Sequence, residues 1–389
     1  MLKGNMLIAH GGGPTPVINS SLRGAVEEAL RHNEIENIYG ARFGAEGILK
    51  GDIIELGAWS KEQLELLSHT PASAIGSCRR KLTEEDFPSV FDCFERYNIR
   101  YFFYNGGNDS MDTCNKIYQM AKQRSYDLRI IGIPKTIDND LALIDHSPGF
   151  GSSARYYAVS ALELAMDAAA LPIHVVIMEV MGRNAGWLTA ASALFADKMP
   201  CEILTYLPEV PFDNKKFLKD VREKYSKGRG LLVTISEGIR YADGRMVADS
   251  GIVDGFGHTV PGGAAQTLSD MIMKHTPLKS RSEKPGLLGR VSMANVSDVD
   301  RDEAYGVGKH AVFAAVSGKS GYMVGIKCSR SGGYSSDYEL IPLDQVANVE
   351  KKFPLEWINS EGNGIGQEFI DYCMPLIGTA APEFFVLDD

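Results

Sequence analysis

The segment Pro134–Asp140, PKTIDND, concentrates reactive side chains directly after a short apolar run. It places a lysine, a threonine and two carboxylates close together. A carboxylate can take a proton from a hydroxyl nucleophile, and a cation can stabilise charge on a transferred phosphate. These are the groups that phosphoryl transfer requires. A polar turn rich in Asx residues is the alternative interpretation.

Two glycine-rich segments, HGGGPTPVIN at 10–19 and GGNDS at 106–110, each lie between an apolar run and a helical pattern. Glycines let backbone amides approach a phosphate, and the free N–H groups of a first helical turn favour an anion. A tight turn that needs glycine explains the first segment equally well. Helix capping by Asn108, Asp109 or Ser110 is the alternative for the second. Two such turns in one lobe favour anion binding.

Further charged residues lie at predicted strand ends. Arg79 belongs to the cation run of GSCRRKL, Arg183 follows the strand-like MEV in MEVMGRNAGWL, and Glu237 ends ISEG. A run of cations is usually a solvated surface. Because this chain is short of positive charge, we also consider that Arg79 faces an anion. Arg183 and Glu237 are predicted to converge on a sugar phosphate.

Apolar runs followed by helical periodicity recur through the first 240 residues, which is typical of a parallel sheet. The runs are MLIAH, YFFYN, RIIGIP, HVVIMEV and GLLVTISEG. They fall into two sets, and we predict an α/β protein of two lobes, each with a largely parallel, Rossmann-like sheet flanked by helices. Ligands bind at the carboxyl ends of strands in such sheets, which is where the motifs fall.

The composition argues against binding to polyanions. The formal charge is −10 and the pI is about 5.4, whereas nonspecific nucleic-acid or anionic-membrane binders need a basic field. No apolar stretch of membrane-spanning length is present, and the apolar N-terminal run is too short for a signal peptide. We therefore expect a cytoplasmic protein that binds neither nucleic acid nor membrane.

No cysteine or histidine pattern indicates a metal centre or a nucleophilic triad. The six cysteines are scattered, without a CxxC pair or a zinc-like Cys/His spacing, as in a reduced protein. His174 and His258 belong to no Ser/His/Asp pattern. We predict structural roles for both histidines.

Four motifs, GGNDS, PKTIDND, MGRNAGW and SEG, in this order and at these separations, resemble the phosphofructokinase family. The resemblance is densest from Gly11 to Gly238 and continues through SRSEKPGLLGRVSMANVSDVDRDEA. It implies a phosphofructokinase-type fold and phosphorylation of the 1-hydroxyl of fructose 6-phosphate. It also implies a place in glycolysis.

By this resemblance Asp138 is the general base. Arg281 is implied to reach across a subunit boundary, and Leu287 replaces a histidine that is common in ATP-using members. The implied catalytic residues are Asp138, Lys135, Asp109, Thr136 and Asp140. The implied donor-binding residues are Gly12, Gly13, Arg79, Gly107 and Ser110. The implied sugar-phosphate residues are Thr136, Ile137, Asp138, Met181, Gly182, Arg183, Glu237, Arg281 and Arg290.

The pair Asp109 and Lys135 bears on the choice of donor. ATP-using members typically carry glycine at both positions, and the pair resembles the pyrophosphate-dependent branch. An aspartate there would occupy the place of the α-phosphate of ATP and repel it by roughly 4 kcal/mol at about 4 Å. That repulsion corresponds to rejection of ATP by up to roughly a thousandfold. Lys135 would supply a cation for the transferred phosphate.

Magnesium is the implied cofactor, with Asn108 and Asp109 as the implied metal residues. Asn108 replaces an aspartate of the family, and a neutral amide oxygen is a weaker ligand for a hard cation. Either Asp109 and Asp138 share the coordination of the metal, or the metal affinity is reduced.

The sequence therefore predicts reversible phosphoryl transfer from pyrophosphate to fructose 6-phosphate by a homodimer or homotetramer. Residues 1–140, with part of 250–305, are the predicted donor lobe. Residues 141–250, with C-terminal elements, are the predicted sugar-phosphate lobe. An ATP-dependent phosphofructokinase is the first alternative, and a non-catalytic regulatory subunit of the same family is the second.

Overall fold

The computed structural model describes residues 2–171, 173–225, 229–253, 259–378 and 382–386. None of the helices within these ranges is long and apolar enough to cross a bilayer. The strands are β1 Gly4–His10, β2 Ile35–Ala41, β3 Ile53–Glu55, β4 Ile99–Gly106, β5 Arg129–Pro134, β6 Val175–Val180, β7 Glu202–Tyr206, β8 Leu231–Ser236, β9 Asp249–Val253, β10 Thr259–Pro261, β11 Ser280–Glu283, β12 Tyr322–Ser329 and β13 Ser335–Pro342. The helices are α1 Ile18–Ala29, α2 Ala45–Lys50, α3 Lys61–Leu67, α4 Phe87–Arg96, α5 Asn108–Gln123, α6 Phe150–Ala170, α7 Trp187–Ala191, α8 Asn214–Tyr225, α9 Ala264–His275, α10 Asp298–Val316, α11 Leu343–Val346 and α12 Gln367–Cys373.

The chain forms two compact units, as predicted. The first comprises Met1–Phe150 and Asp298–Lys351, and the second comprises Gly151–Ser297 and Lys352–Asp389. The boundaries differ from the predicted ones, because the first unit runs ten residues past 140 and only 298–305 of the segment 250–305 returns to it. The reason is that α10, β12, β13 and α11 form one continuous segment, Asp298–Lys351, whose two strands complete the first sheet. We call it the return segment. The donor and sugar-phosphate roles of the lobes stay predictions.

The sheet of the first unit has the strand order β13-β12-β5-β4-β1-β2-β3. Its inner pairs are parallel, whereas β2–β3 and β12–β13 at the edges are antiparallel. Met6 and Ile8 pack into a core on one face, while Leu7 and Ala9 pack into a core on the other. Because both faces are covered, the central strands are continuous apolar runs without polar alternation.

The second unit contains a sheet with the order β11-β6-β8-β7, in which all neighbouring strands are parallel. Every residue of β6 and β8 is buried. Val175, Ile177 and Val233 belong to its hydrophobic core. The carboxyl ends of β6 and β8 therefore lie side by side, where the predicted sugar-phosphate motifs begin.

The return segment is held in the first unit by a close contact between α1 and α10. A Cβ atom at Gly24 would lie 2.1 Å from the carbonyl oxygen of Tyr305, and one at Gly308 would lie 2.0 Å from that of Ser21. The two helix backbones thus touch where each carries a glycine. Any larger residue would force them apart.

We expect Gly24→Ala to destabilise the protein by about 1–3 kcal/mol, although alanine is the better helix former by up to about 1 kcal/mol. The measurement is the midpoint of guanidinium unfolding, followed by circular dichroism. Gly57→Ala is the matched control, since a Cβ atom there has its nearest neighbour at 3.7 Å. Equal midpoints for the two variants would contradict the proposed backbone contact.

Candidate active site

The two glycine turns lie at the ends of neighbouring strands in the first unit. His10 at the end of β1 is in register with Asn105 near the end of β4. A Cβ atom at Gly11 would lie 2.4 Å from Ser110 Oγ, and one at Gly106 would lie 2.0 Å from the same atom. The backbones and the start of α5 are therefore packed too closely for any side chain.

Lys135 joins these turns to the end of β5. Its ammonium group donates a hydrogen bond to the carbonyl oxygen of Gly13 at 2.6 Å, and its backbone N–H donates to Gly106 at 3.0 Å. A Cβ atom at Gly12, where φ is 79°, would lie 3.3 Å from Lys135 Nζ. Lys135 is only 4% exposed. Lys135 thus contacts the first glycine turn through its buried ammonium group and the second through its backbone.

His10 is a neutral, fully buried neighbour of this cation. Burial, together with the positive charge of Lys135, lowers the pKa of His10 to about 3. Its Nδ1 atom is 2.8 Å from Ser73 Oγ. Because His10 carries no charge near neutrality, Lys135 is the only cation of this pair.

The three cations that follow Cys78 have different surroundings. Arg80 forms ion pairs with Glu46 at 3.3 Å and with Asp86 at 2.7 Å. Lys81 lies 3.4 Å from the carboxylate of Asp109. Arg79 is exposed and has no side-chain partner within the described residues. Arg79 is therefore the member of the run that is available to a donor phosphate.

The loop TIDND is fixed by its own hydrogen bonds. Thr136 Oγ1 accepts from the backbone N–H of Asp138 at 3.1 Å, and Asn139 has a φ of 54°. Asn139 Oδ1 accepts from the N–H of Ser147 at 3.1 Å. These bonds hold Asp138, which is partly buried, at one place in the turn. The neighbouring Ile137 is buried, at 7% exposure.

Asp140 lies beside Asn108. The amide nitrogen of Asn108 donates to Asp140 Oδ2 at 3.2 Å. Asn108 Oδ1 and Asp140 Oδ1 are buried and have no hydrogen-bond partner within the described residues. Burial raises the pKa of Asp140, while Thr136 and Lys135 act in the opposite direction. Two oxygen atoms are thus left in place for a cation.

Asp109 has a different environment from Asn108. Its side chain is 54% exposed and pairs with Lys81. Of the two predicted metal residues, Asn108 contacts Asp140, whereas Asp109 faces the cation run. The sequence did not predict the pairing of Lys81 with Asp109 or of Asp140 with Asn108. The only sequence signal for Lys81 was its place in GSCRRKL.

In the second unit, the segments after β6 and β8 contact each other. Ser236 Oγ donates to the carbonyl oxygen of Gly182 at 2.5 Å, and a Cβ atom at Gly238 would lie 1.8 Å from the carbonyl oxygen of Arg183. Glu237 donates its backbone N–H to Val180 at 2.9 Å. The predicted residues Gly182, Arg183 and Glu237 are therefore neighbours.

Tyr157 links two other predicted residues of this unit. The backbone N–H of Met181 donates to the Tyr157 hydroxyl at 3.3 Å. A Cβ atom at Gly289 would lie 2.2 Å from the same hydroxyl, so the turn that carries Arg290 is packed here. Arg281 is exposed and pairs with Val176, away from the carboxyl end of β6. The described residues do not bring Arg281 to the other five, which are Met181, Gly182, Arg183, Glu237 and Arg290.

One of the two histidines considered above has a structural contact. His174 Nδ1 accepts a hydrogen bond from the backbone N–H of Lys279 at 3.1 Å. This contact supports the predicted structural role. His258 lies outside the described residues.

The fold defines an α/β protein of two units, with glycine turns at the carboxyl ends of parallel strands in the first. A model of the family "Phosphofructokinase" matches residues 5–315, and the chain belongs to that family. A protein of Halomonas elongata named pyrophosphate–fructose 6-phosphate 1-phosphotransferase is 40% identical, over 99% of this chain and 94% of its own. A protein of Methylococcus capsulatus with the same name is 41% identical, over 96% and 91%. The crystal structure of a pyrophosphate-dependent phosphofructokinase from Marinobacter aquaeolei matches with a TM-score of 0.88 and 36% identity, over 98% and 94%.

We expect acid to destabilise the native protein partly through His10. The unfolded chain takes up a proton near the ordinary value of 6.5, whereas the folded chain does so only near 3. Stability from this group is therefore complete above about pH 6.5 and is lost as the pH falls towards 3. Between about pH 7 and about pH 5 the loss should be about 2 kcal/mol.

The test compares His10→Gln with wild type by denaturant unfolding at both pH values. The variant should lose about 2 kcal/mol less on acidification, because glutamine does not titrate. His69→Gln, at an exposed position, is the matched control and should behave as wild type. If His10→Gln is as acid-sensitive as wild type, His10 is not a buried neutral histidine.

Proposed function

We propose that this protein reversibly transfers a phosphoryl group from pyrophosphate to the 1-hydroxyl of fructose 6-phosphate in glycolysis. The products are fructose 1,6-bisphosphate and phosphate. The observation that carries the proposal is Lys135, whose buried ammonium group bonds to the first glycine turn and whose backbone bonds to the second, with Asp109 at the start of α5. Two relatives at about 40% identity carry the name of this activity.

In the proposed reaction Asp138 takes the proton of the 1-hydroxyl while the hydroxyl oxygen of the sugar attacks one phosphorus of pyrophosphate. The bond from that phosphorus to the bridging oxygen breaks, and phosphate leaves. Lys135 lies where it can stabilise charge on the transferred group, and the turn at Gly107 leads into α5, whose first turn favours an anion. Asp138 and Lys135 lie three residues apart in one fixed loop, which supports their joint role.

Magnesium fits the pair Asn108 and Asp140. Their unpaired buried oxygen atoms are hard ligands of the kind that Mg²⁺ prefers. The bound ion would neutralise part of the charge of pyrophosphate beside the carboxylate of Asp140. We therefore assign Asp140 to the metal together with Asn108, whereas Asp109 is assigned to donor selection.

The exposure of Asp109 lowers the expected selectivity against ATP. A carboxylate at the α-phosphate position would repel ATP by roughly 4 kcal/mol at about 4 Å. Asp109 is 54% exposed and paired with Lys81, so water and the ammonium group screen this repulsion. We expect Asp109 to reject ATP by about tenfold to a hundredfold, below the thousandfold ceiling.

The second unit supplies the proposed sugar-phosphate residues Met181, Gly182, Arg183, Glu237 and Arg290. Their mutual contacts in that unit support a common role. Arg281 is proposed to act across a subunit boundary in a homodimer or homotetramer. None of the six cysteines is in a disulfide in the described part of the chain, which supports a cytoplasmic location.

The direct test measures formation of fructose 1,6-bisphosphate by the wild-type protein with pyrophosphate, with ATP and with neither donor. Turnover with pyrophosphate alone supports the proposal. Turnover with ATP as the better donor would indicate an ATP-dependent phosphofructokinase. No turnover with either donor would indicate a non-catalytic subunit.

Asp138→Asn should lower kcat by roughly 10²–10⁴, the usual contribution of a positioned general base. Binding of both substrates should stay within a few-fold of wild type, since the amide keeps the shape of the loop. Steady-state kinetics and calorimetry provide the two measurements. Asp302→Asn, with a side chain that is 80% exposed, is the matched control. Near-normal turnover of Asp138→Asn would remove Asp138 from the role of base.

Donor choice gives a separate prediction. Asp109→Gly should raise kcat/KM for ATP by about tenfold to a hundredfold, because it removes the repelling carboxylate. Lys135→Gly should sharply depress turnover with pyrophosphate, because charge on the transferred group loses its partner. The effects of the two substitutions on kcat/KM should not add in the double variant, since both residues are proposed to act on the same phosphoryl donor. Kinetics of all three variants with each donor are the measurement, and an unchanged ATP rate in Asp109→Gly would contradict the role of Asp109.

A further inference from the structure

A buried ion pair in the second unit lies beside the proposed sugar-phosphate residues. Glu179, on β6, is 2% exposed, and its Oε1 atom lies 2.6 Å from the ammonium nitrogen of Lys284. Its Oε2 atom accepts a hydrogen bond from the N–H of Ala265 in the first turn of α9, at 3.0 Å. The carboxylate is thus held from two sides. The sequence motifs pointed to neither member of the pair.

Glu179 is close to Glu237 through the sheet. β6 and β8 are parallel neighbours, in which Glu179 pairs with Ile235, and Glu237 donates its N–H to Val180 at 2.9 Å. Burial raises the pKa of Glu237, and the negative charge of Glu179 raises it further. Lys284 and Arg183 act in the opposite direction. Two carboxylates and two cations therefore form one electrostatic cluster at the ends of β6, β8 and β11.

We propose that Lys284 is a positioning residue of the sugar-phosphate site. Its ammonium group neutralises Glu179, and this keeps Glu237 as a carboxylate that accepts hydrogen bonds from the sugar hydroxyls. The inference rests on the proposed function, in which Glu237 binds the sugar phosphate. Lys284 is about half exposed, so its charge is retained while its end reaches the buried Glu179.

A purely structural role would be different. If Lys284 only tied β11 to β6, its loss would lower the melting temperature and leave the pH dependence of substrate binding unchanged. The proposed role predicts a change in that pH dependence. The two roles are therefore separated by the KM for fructose 6-phosphate as a function of pH, with saturating pyrophosphate.

The direction in which KM changes with pH follows from the acceptor role of Glu237. Protonation removes an acceptor, so KM rises as the pH falls through the pKa of Glu237. Lys284→Met removes a cation that lowers this pKa, so the rise should begin at higher pH. Because a single nearby charge shifts a pKa by about one unit or more, the pH at which KM begins to rise should increase by about one unit or more. The kcat and the KM for pyrophosphate should stay unchanged.

Three further variants sharpen the test. Lys284→Arg keeps the charge and should retain the wild-type profile. Glu179→Gln combined with Lys284→Met removes both charges, and its profile should return towards wild type. Lys219→Met is the matched control, because Lys219 forms an exposed pair with Glu223 at 3.7 Å on α8. The sugar phosphate group titrates alike in every variant, so only differences between variants carry the result.

A wild-type KM profile in Lys284→Met overturns the proposal, and so does a shifted profile that Glu179→Gln does not reverse. If Lys284→Met fails to fold, Glu179→Gln alone decides, since it should move the rise of KM to lower pH. Absence of turnover in wild type would instead be a failure of the proposed function. Calorimetric binding of fructose 6-phosphate to the same variants would then replace KM, and equal affinities at every pH would overturn the role of Lys284.

Discussion

The hydrogen bond from the buried ammonium group of Lys135 to the carbonyl oxygen of Gly13 is the interaction on which the proposed donor site depends. It joins the end of β5 to the turn after β1, while the backbone of Lys135 is bonded to Gly106 at the end of β4. A buried ammonium group is costly unless it is hydrogen-bonded and a counter-charge is close. Pyrophosphate is an anion that would provide such a counter-charge. Gly11 and Gly106 are required because Ser110 approaches both too closely for a Cβ atom.

A second charged network supports the loop that carries the proposed base. His146 is fully buried between Asp145, at 3.0 Å, and Glu303, at 2.6 Å. Burial lowers the pKa of His146, but hydrogen bonds to Asp145, Cys328 and Glu303 raise it well above its ordinary value. Arg330 forms two hydrogen bonds of 2.8 Å to the carboxylate of Asp145. Since Glu303 and Arg330 belong to the return segment, that segment anchors the loop as well as completing the sheet.

The elements that the sequence predicted best are those with local signals. RIIGIP is the whole of β5, and MLIAH and YFFYN lie within β1 and β4, because strands buried on both faces are continuous apolar runs. Their order also placed Lys135 and the glycine turns at adjacent strand ends. Only 298–305 of the segment Asp298–Lys351 was predicted to join the first lobe, because the antiparallel strand β13 is largely exposed and lacks an apolar run.

The side-chain pairs of the site could not be predicted in the same way. Asn108 with Asp140, Lys81 with Asp109 and Glu179 with Lys284 each join distant segments of the chain. Sequence spacing indicates which residues share a strand end, but it does not indicate which of two neighbouring carboxylates meets a given cation. That choice depends on the direction of each side chain after the backbone has folded. The direction of the side chains also explains why the amide of Asn108 contacts the carboxylate of Asp140 and not that of Asp109.

The most direct test of the donor site is a crystal structure of the wild-type protein with imidodiphosphate, a non-hydrolysable form of pyrophosphate. We expect density for the diphosphate within hydrogen-bond distance of Lys135 Nζ and of the glycine turns at Gly12 and Gly107. Density for the ligand elsewhere, with the Lys135–Gly13 hydrogen bond unchanged and no phosphate beside it, would show that Lys135 does not bind the donor.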